Sequence, residues 1–333
     1  MIISKTPFRV SFFGGGTDYP SWYKKNGGEV LSTTINKYLY LTCRYLPPFF
    51  DHKYRNVWSI IEKVKKVEQI KHTAVRKLLI DMKVKKGLEL HYDGDLPAQS
   101  GMGSSSAFVV GLINIFYAFK KKKLSKKDLA DRSLFFEQNI LKETVGSQDQ
   151  IATAFGGFNS IKFFKNGKYK VEKFSIKKKI INDLSKNLVL IYSGNDRRAN
   201  DIAEKYVPTL TSKKKKEMKT IQEFVGKAKV FLNNNKLDDF GHLLGESWQK
   251  KKELSSNITS DKIEFLYNKA LKNGALGGKV LGAGGGGMML FYVTKKNFEK
   301  FNNAFKNSLI IPFKFEETGS SIIFNDNNEN IYE

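Results

Sequence analysis

The sequence predicts an α+β protein of two halves with a cleft between them. Strand-like and helix-like segments alternate through residues 1–175. A second half opens and closes on strands around a long, lysine-rich helical stretch, and glycine-rich loops adjoin strands in both halves. We therefore expect a first domain at residues 1–175 and a second at residues 176–333.

In the first half, apolar patterning and turn residues separate the elements. Strands are expected at residues 2–13, 29–45, 87–92, 156–164 and 169–174, the last two joined around Asn166-Gly167. Helices are expected at residues 57–82, 107–119 and 125–141. The third should begin at Ser125, because Ser125 and Asp128 form a Ser-x-x-Asp capping pattern.

The second half is predicted to contain strands at its two ends. One strand is expected at residues 188–192, followed by helical segments through residues 199–270. The closing strands are expected at residues 288–293, 313–315 and 321–324.

Composition points to a soluble globular protein. The chain has 333 residues, of which 41% are hydrophobic and 27% charged. No apolar run reaches the ~20 residues needed to cross a bilayer, and the N-terminus lacks the pattern of a signal peptide. The single cysteine, Cys43, suits a reducing compartment. We expect a cytoplasmic protein with no membrane partner.

The net charge of +24 raises the question of nucleic-acid binding. Most of the excess is lysine spread in short runs along the chain, and arginine is scarce. Solvated lysine faces are the favoured interpretation, so no nucleic-acid partner is expected. A positive field would still attract phosphorylated substrates.

A glycine- and serine-rich loop at residues 96–107 connects a strand to an apolar helix. Helix N-termini carry unpaired N–H groups and about half a positive charge, and glycines let successive amides face an anion. The pattern predicts a phosphate cradle, whereas a serine N-cap alone would explain only part of it. The loop is not a Walker A sequence. The candidate residues are Pro97, Ser100, Gly101, Met102, Gly103, Ser104, Ser105 and Ser106.

Two further glycine segments lie near the chain ends, at residues 9–19 and 279–287. A glycine-rich turn at a strand end is usually structural, so each is a weak signal by itself. Three such loops in one domain indicate a site where backbone approaches a ligand closely.

Three charged residues stand out, each with a structural alternative. Asp149 could orient or deprotonate an attacking hydroxyl, or could be an ordinary turn acid. Glu137 follows two phenylalanines and needs a partner, for which Mg²⁺ and a lysine are equal candidates. Arg9 could act in the site or lie at a strand edge.

The three loops match, in order, the motifs of the GHMP small-molecule kinase superfamily, which the chain resembles over nearly its whole length. The resemblance implies a two-domain GHMP kinase fold with an active-site cleft between the halves, and ATP and Mg²⁺ as cofactors. It places the catalytic acid at Asp149 and its basic partner at Arg9. It assigns the metal ligands to Ser105 and Glu137.

The first motif departs from galactokinases, which carry Glu-His where this chain has Gly15-Gly16. The Gly-Gly-Gly-Thr-Asp-Tyr-Pro form is similar to heptose 7-phosphate kinases and, less closely, to fucokinase domains. This implies phosphorylation of D-glycero-D-manno-heptose 7-phosphate at its anomeric hydroxyl, giving the 1,7-bisphosphate, with Asp18 binding a sugar hydroxyl. The expected substrate residues are Gly14, Gly15, Gly16, Thr17, Asp18, Tyr19, Gly284 and Gly285.

Arg197 and Arg198 are candidates for the sugar's distal phosphate on charge alone, and a solvated basic turn is the alternative. Other functions remain open at this point: another sugar-1-kinase such as an L-fucose kinase, an RNA-binding module, or a catalytically silent sugar sensor. The expected partners are ATP and a phosphorylated sugar. The oligomeric state is left open, with a homodimer compatible with the sequence.

Overall fold

Two β-sheets, each faced by helices, build the fold. The structure is a computed structural model that describes residues 1–194, 203–204 and 206–326. Nine of the described strands form the larger sheet, and its main path runs β13-β1-β2-β5-β3-β4, with β12 and β6 paired to β2 and β7 paired to β6. The strands are β1 (Ile2–Phe13), β2 (Gly28–Tyr45), β3 (Tyr54–Val57), β4 (Ile61–Val64), β5 (Leu88–Gly94), β6 (Asn159–Phe163), β7 (Tyr169–Lys173), β12 (Phe315–Glu316) and β13 (Ser321–Asn325).

The smaller sheet is antiparallel in the order β11-β8-β10-β9. Every residue of its central strand β10 is buried. This explains why that strand reads as a continuous apolar run rather than an alternating one. The strands are β8 (Leu188–Tyr192), β9 (Ala275–Val280), β10 (Met288–Val293) and β11 (Ile310–Ile311).

The helices cover the faces of the two sheets. The apolar helix α3 and helix α5 pack on β1 and β2, while α8 packs on β9 and β10 and also touches β1. The helices are α1 (Pro20–Asn26), α2 (Thr73–Asp81), α3 (Ser104–Phe119), α4 (Lys126–Phe135), α5 (Gln148–Phe155), α6 (Lys178–Asn187), α7 (Lys215–Asn233), α8 (Leu237–Lys252), α9 (Asp261–Lys272) and α10 (Phe298–Ala304). In the part of the chain the structure describes, none is long and apolar enough to cross a membrane.

The C-terminal strands return to the first sheet. Strand β12 pairs with β2, and β13 pairs with β1 in antiparallel register. The expected boundary near residue 175 separates the two sheets along most of the chain, but residues 315–325 cross back over it. The assignment of residues 1–175 and 176–333 to two domains stays a prediction.

The predicted helix at residues 57–82 is wrong in its first part. Strands β3 and β4 form a hairpin there, and the helix begins only at Thr73. The buried carboxylate of Glu62 holds the turn, accepting hydrogen bonds from Asn56 Nδ2 (3.1 Å), Trp58 Nε1 (2.8 Å) and the backbone N–H groups of Lys71 and His72. Such a tertiary contact leaves no periodic trace in the sequence.

Most other expected elements are confirmed, with shifted ends. Helix α3 begins at Ser104 rather than residue 107, so the serines occupy its first turn. Ser125 caps α4 as predicted, its Oγ accepting from the Asp128 N–H at 3.1 Å. Helix α4 then widens into a π-helical turn at Phe136–Leu141, a feature often found at functional sites.

The hydrogen bonds of Glu62 yield a stability prediction. Replacing Glu62 with Ala leaves buried donors unpaired and should lower the free energy of unfolding by about 1–3 kcal/mol, measured by urea denaturation. The matched control is Glu68→Ala on the exposed side of the same segment, which should stay within about 0.5 kcal/mol of the unmodified protein. Equal losses in both variants would contradict this role of Glu62.

Candidate active site

A pocket of about 450 Å³ lies where the two sheets meet. All three glycine-rich segments contribute to its wall, together with the turn before α5 and the C-terminal end of α8. The sequence-predicted residues that line it are Arg9, Gly15, Gly16, Asp18, Tyr19, Gly101, Gly103, Ser104, Ser105, Ser106, Asp149 and Gly284.

Arg9 and Asp149 form a bidentate ion pair at this pocket. Arg9 Nε donates to Asp149 Oδ1 and Nη2 donates to Oδ2, both at 2.7 Å. The Arg9 side chain is only 4% exposed, whereas that of Asp149 is 24% exposed. The carboxylate of Asp149 is therefore accessible from the pocket. Each of its oxygens has a further lone pair that can accept another hydrogen bond. The structure brings together the pair that the sequence analysis selected.

Arg9 also connects the ion pair to the glycine- and serine-rich loop of residues 96–107. Its Nη1 donates to the Gly101 carbonyl oxygen at 2.6 Å, and its backbone N–H donates to Met102 O at 3.1 Å. Gly101 has a left-handed φ of 78°, and a Cβ there would lie 2.5 Å from Leu281 O. Glycine is required, since the second and third glycine segments touch through their backbones.

Asp18 is a buried residue in the wall of the pocket. Its Oδ1 accepts from Gly16 N–H at 2.9 Å and its Oδ2 from Gln148 N–H at 3.2 Å. Burial, followed by repulsion from Asp149, raises the pKa of Asp18 despite these hydrogen bonds. A Cβ on Gly146 would lie 1.9 Å from Asp18 Oδ2, so that position accepts only glycine. Both carboxylate oxygens of Asp18 are therefore held by backbone N–H groups.

Glu137 lies behind the pocket wall on the π-helical turn. Its Oε2 accepts hydrogen bonds from Ser106 Oγ (3.0 Å) and from Gln150 Nε2. Its Oε1 is buried without a partner among the described residues. Burial and the neighbouring Glu143 raise the pKa of Glu137 to about 8. An unpaired carboxylate oxygen beside a hydroxyl is a donor set that suits Mg²⁺, which usually takes few protein ligands.

Ser105, the predicted metal ligand, and its neighbour Ser106 lie differently relative to Glu137. The hydroxyl that reaches Glu137 is that of Ser106, while Ser105 has an exposed side chain and lines the pocket directly. Consecutive residues of a helix point about 100° apart, so the Ser105 side chain points in a different direction from that of Ser106. In the described residues, three or more His, Cys, Asp or Glu side chains nowhere gather into a metal-binding cluster.

Several of the expected ligand residues are buried or lie outside the pocket wall. Met102 and Thr17 are fully buried, and Thr17 Oγ1 donates to Gly14 O at 2.7 Å. Ser100 is buried and its carbonyl accepts from Met288 N–H at 2.9 Å. Outside the pocket wall lie Pro97, Ser100, Met102, Gly14, Thr17 and Gly285. Arg197 and Arg198 lie outside the described residues.

Sequence reasoning missed two pocket lysines, Lys251 and Lys279. Lys251 lies in the last turn of helix α8, and its Nζ donates to Gly282 O. Lys279, on β9, is only 5% exposed, and its Nζ donates to Phe12 O at 2.7 Å. The apolar strand around Lys279 was a usable signal, whereas Lys251 stands in a run of three lysines that conceals it.

Ser11 and Gln148 were also missed. Both line the pocket, and the buried atoms Ser11 Oγ and Gln148 Oε1 have no hydrogen-bond partner within the described part of the chain. A Cβ on Gly15 would stand 3.8 Å from Ser11 Oγ and from Gln148 Nε2. The absence of a side chain at Gly15 therefore leaves a space in the pocket beside polar atoms of Ser11 and Gln148.

The chain matches one family in both halves. Residues 63–157 match the GHMP kinases N terminal domain, and residues 228–310 match the GHMP kinases C terminal domain. Over 307 residues the chain is 33% identical to D-glycero-alpha-D-manno-heptose 7-phosphate kinase of Campylobacter jejuni subsp. jejuni serotype O:2, covering 89% of this chain and 91% of that protein. The chain belongs to the GHMP kinase family, which confirms the expected fold.

Two further comparisons agree with this placement. The crystal structure of a D-glycero-D-manno-heptose 1-phosphate kinase from Bacteroides thetaiotaomicron superposes with a TM-score of 0.78 at 24% identity, covering 98% of this chain and 99% of that one. The bifunctional fucokinase/GDP-fucose pyrophosphorylase of Arabidopsis thaliana is 23% identical over 88% of this chain and 30% of that protein. This protein is a phosphotransferase, a kinase whose acceptor is a sugar hydroxyl.

The geometry of the ion pair yields a prediction about turnover. Asp149→Asn should lower kcat by roughly 10²–10⁴-fold, because an amide is a far weaker proton acceptor, and should leave nucleotide affinity little changed. Coupled measurement of ADP release gives kcat, and calorimetry gives the affinity.

The matched control is Asp239→Asn, in the exposed first turn of α8. It should retain normal kcat. Near-normal turnover in a folded Asp149→Asn variant would exclude Asp149 as the catalytic carboxylate.

Proposed function

We propose that this kinase transfers the γ-phosphoryl group of ATP to the anomeric hydroxyl of D-glycero-D-manno-heptose 7-phosphate. The observation that carries the proposal is the Arg9–Asp149 ion pair, whose two N–H···O hydrogen bonds are both 2.7 Å long. The pair lies beside the loop of residues 96–107, which Arg9 also contacts. The 33% identity to the heptose 7-phosphate kinase of Campylobacter jejuni supports the choice of acceptor.

Each side of the pocket has a separate task in the proposed reaction. The amides and hydroxyls of Gly103, Ser104 and Ser105 lie at the N-terminus of α3, where an anion is stabilised. These groups would hold the triphosphate of ATP. The acceptor would lie against Asp18 and the Gly15-Gly16 turn, with its reacting hydroxyl between Asp149 and the γ-phosphorus.

The chemical step is an in-line displacement. The acceptor oxygen forms a bond to the γ-phosphorus while the bond to the β–γ bridging oxygen breaks, and ADP leaves with that electron pair. Asp149 accepts the hydrogen bond of the attacking hydroxyl and receives its proton as the new bond forms. Arg9 keeps the carboxylate oriented and adds positive charge beside the migrating group.

Mg²⁺ belongs to the proposal as the second cofactor. Glu137, together with a serine hydroxyl of the first turn of α3, would hold it. When bound, the ion would neutralise charge on the β- and γ-phosphates. The predicted ligand is Ser105, and the contact of Ser106 with Glu137 makes Ser106 the second candidate.

The recognition of the sugar rests on polar atoms that lack partners in the described structure. Ser11 Oγ and Gln148 Oε1 are buried at the pocket, and buried polar groups normally find a partner. Sugar hydroxyls would satisfy both. Gly15 and Gly16 leave room for a seven-carbon sugar that bulkier side chains would exclude.

The remaining parts of the proposal concern the setting of the enzyme. A cytoplasmic location follows from the need for ATP, and the buried thiol of Cys43 suits a reducing compartment. A homodimer without nucleic-acid partners remains a prediction, which sedimentation and salt-dependent RNA titration would test.

The acceptor assignment is tested with a panel of sugars in an ADP-release assay. Heptose 7-phosphate should give the highest kcat/KM, above free heptose, hexoses and L-fucose. The product should be the 1,7-bisphosphate by NMR. A preference for L-fucose would instead support the fucose kinase alternative, and no turnover with any sugar would overturn the proposal.

The open space at Gly15 yields a prediction about specificity. Gly15→Leu should raise KM for the acceptor roughly 10-fold or more and leave KM for ATP unchanged, because the side chain would fill sugar space. The matched control is Gly226→Leu, at an exposed helix position whose Cβ would meet no atom within 4 Å. A normal acceptor KM for Gly15→Leu would place the sugar elsewhere.

A further inference from the structure

Lys251 and Lys279 place two amines in the wall of the pocket, on elements of the second half. Lys251 comes from the last turn of α8 and Lys279 from β9. Among the described residues, each Nζ has one hydrogen-bond acceptor, a backbone carbonyl: Gly282 O for Lys251, and Phe12 O at 2.7 Å for Lys279. A lysine ammonium has three donors. Two donors on each side chain are therefore available to a ligand.

These lysines differ from the other cation of the pocket. Both carboxylate-facing nitrogens of Arg9 are used by Asp149. In the described part of the chain, neither Lys251 nor Lys279 forms an ion pair with a carboxylate. Lys279 is buried and Lys251 is partly buried. A buried lysine without a carboxylate partner gives up its proton more readily, so the pair indicates that the missing anion is a ligand, which would restore the charge.

The electrostatic surroundings point in the same direction. Burial, then repulsion from Arg9, lowers the pKa of Lys251 to about 7, and attraction to Asp18 opposes this only in part. Burial lowers the pKa of Lys279 well below its ordinary value, and Lys251 and Arg9 lower it further. The positive charges of Arg9 and Lys251 thus disfavour a charge on Lys279, and a bound anion would oppose that effect.

Lys251 and Lys279 lie near the part of the pocket where the acceptor sugar is proposed to bind. Lys251 is bonded to Gly282, whose would-be Cβ lies 2.7 Å from Gly101 Cα, and Gly101 O accepts from Arg9. Lys279 donates a hydrogen bond to Phe12 O near the end of β1, within the glycine segment of residues 9–19. Both amines therefore lie at the junction of the three glycine segments, beside the Arg9–Asp149 pair and Asp18.

We propose that Lys251 and Lys279 form a phosphate-binding pair in the pocket. The inference rests on the proposed sugar kinase function and deepens it. The phosphate has two possible sources with the same chemistry: the γ-phosphoryl group during transfer, or the phosphate that the acceptor already carries.

The test uses the full-length protein with Lys251→Met, Lys251→Arg and Lys279→Met. The matched control is Lys250→Met, one residue earlier on α8, where the lysine pairs with Glu253 instead of lining the pocket. Kinetics are measured with heptose 7-phosphate and with unphosphorylated heptose, each at saturating ATP. Thermal melting identifies variants that fail to fold. If Lys279→Met fails to fold, the kinetics of Lys251→Met alone test the proposal.

If the acceptor's own phosphate is bound, Lys251→Met should raise KM for heptose 7-phosphate roughly 10-fold or more and leave KM for free heptose unchanged. If the γ-phosphoryl group is bound, kcat should fall roughly 10-fold or more with both acceptors at unchanged KM. Lys251→Arg should recover most of either loss, because it keeps the charge. Lys250→Met should match the unmodified protein.

Folded Lys251→Met and Lys279→Met variants with both constants within about twofold of the unmodified protein would overturn the phosphate-binding pair. Failure of the proposed function looks different, because the unmodified protein itself would then not phosphorylate heptose 7-phosphate. If another sugar is turned over, the kcat comparison is made with that sugar.

Discussion

The structure of the site depends on one guanidinium. Arg9 donates to both oxygens of Asp149 and to the carbonyl of Gly101, and so connects strand β1, helix α5 and the glycine loop. A planar, permanently charged group with several fixed donors can make these three contacts at once, which a lysine could not. The acid and the loop proposed to hold the phosphates are thereby fixed relative to each other before any ligand binds, as preorganised catalysis requires.

The second requirement is that backbone can approach backbone. At Gly101 and Gly282 the two halves come so close that a side chain on either would collide with main-chain atoms. The Ser100 carbonyl and the Met288 N–H complete this junction with a hydrogen bond of 2.9 Å. The return of β12 and β13 to the first sheet also ties the halves together. The pocket therefore lies where the backbones of the two halves touch.

The sequence predicted the parts of the site that carry unusual residue patterns. The glycine segments, Asp149 and Arg9 stand out because glycine clusters and arginine are rare in this lysine-rich chain, and the resemblance to a kinase family assigned their roles. Lys251 could not be distinguished from its neighbours Lys250 and Lys252, since its role depends on which way the last turn of α8 faces. The hairpin at residues 54–64 was missed because a buried carboxylate, not a periodic pattern, stabilises it.

Basic side chains on the solvated surface differ from the few that are buried at the pocket. This difference explains why the net charge was a poor guide to function. Of the chain's 57 lysines and arginines, most contribute a field that salt screens within about 8–10 Å. Lys279 and Arg9 are both buried, so water and salt weaken their interactions far less. The overall charge of +24 thus reflects mainly the solvated faces, while the electrostatic field in the pocket depends on a few buried basic side chains and on the carboxylates near them.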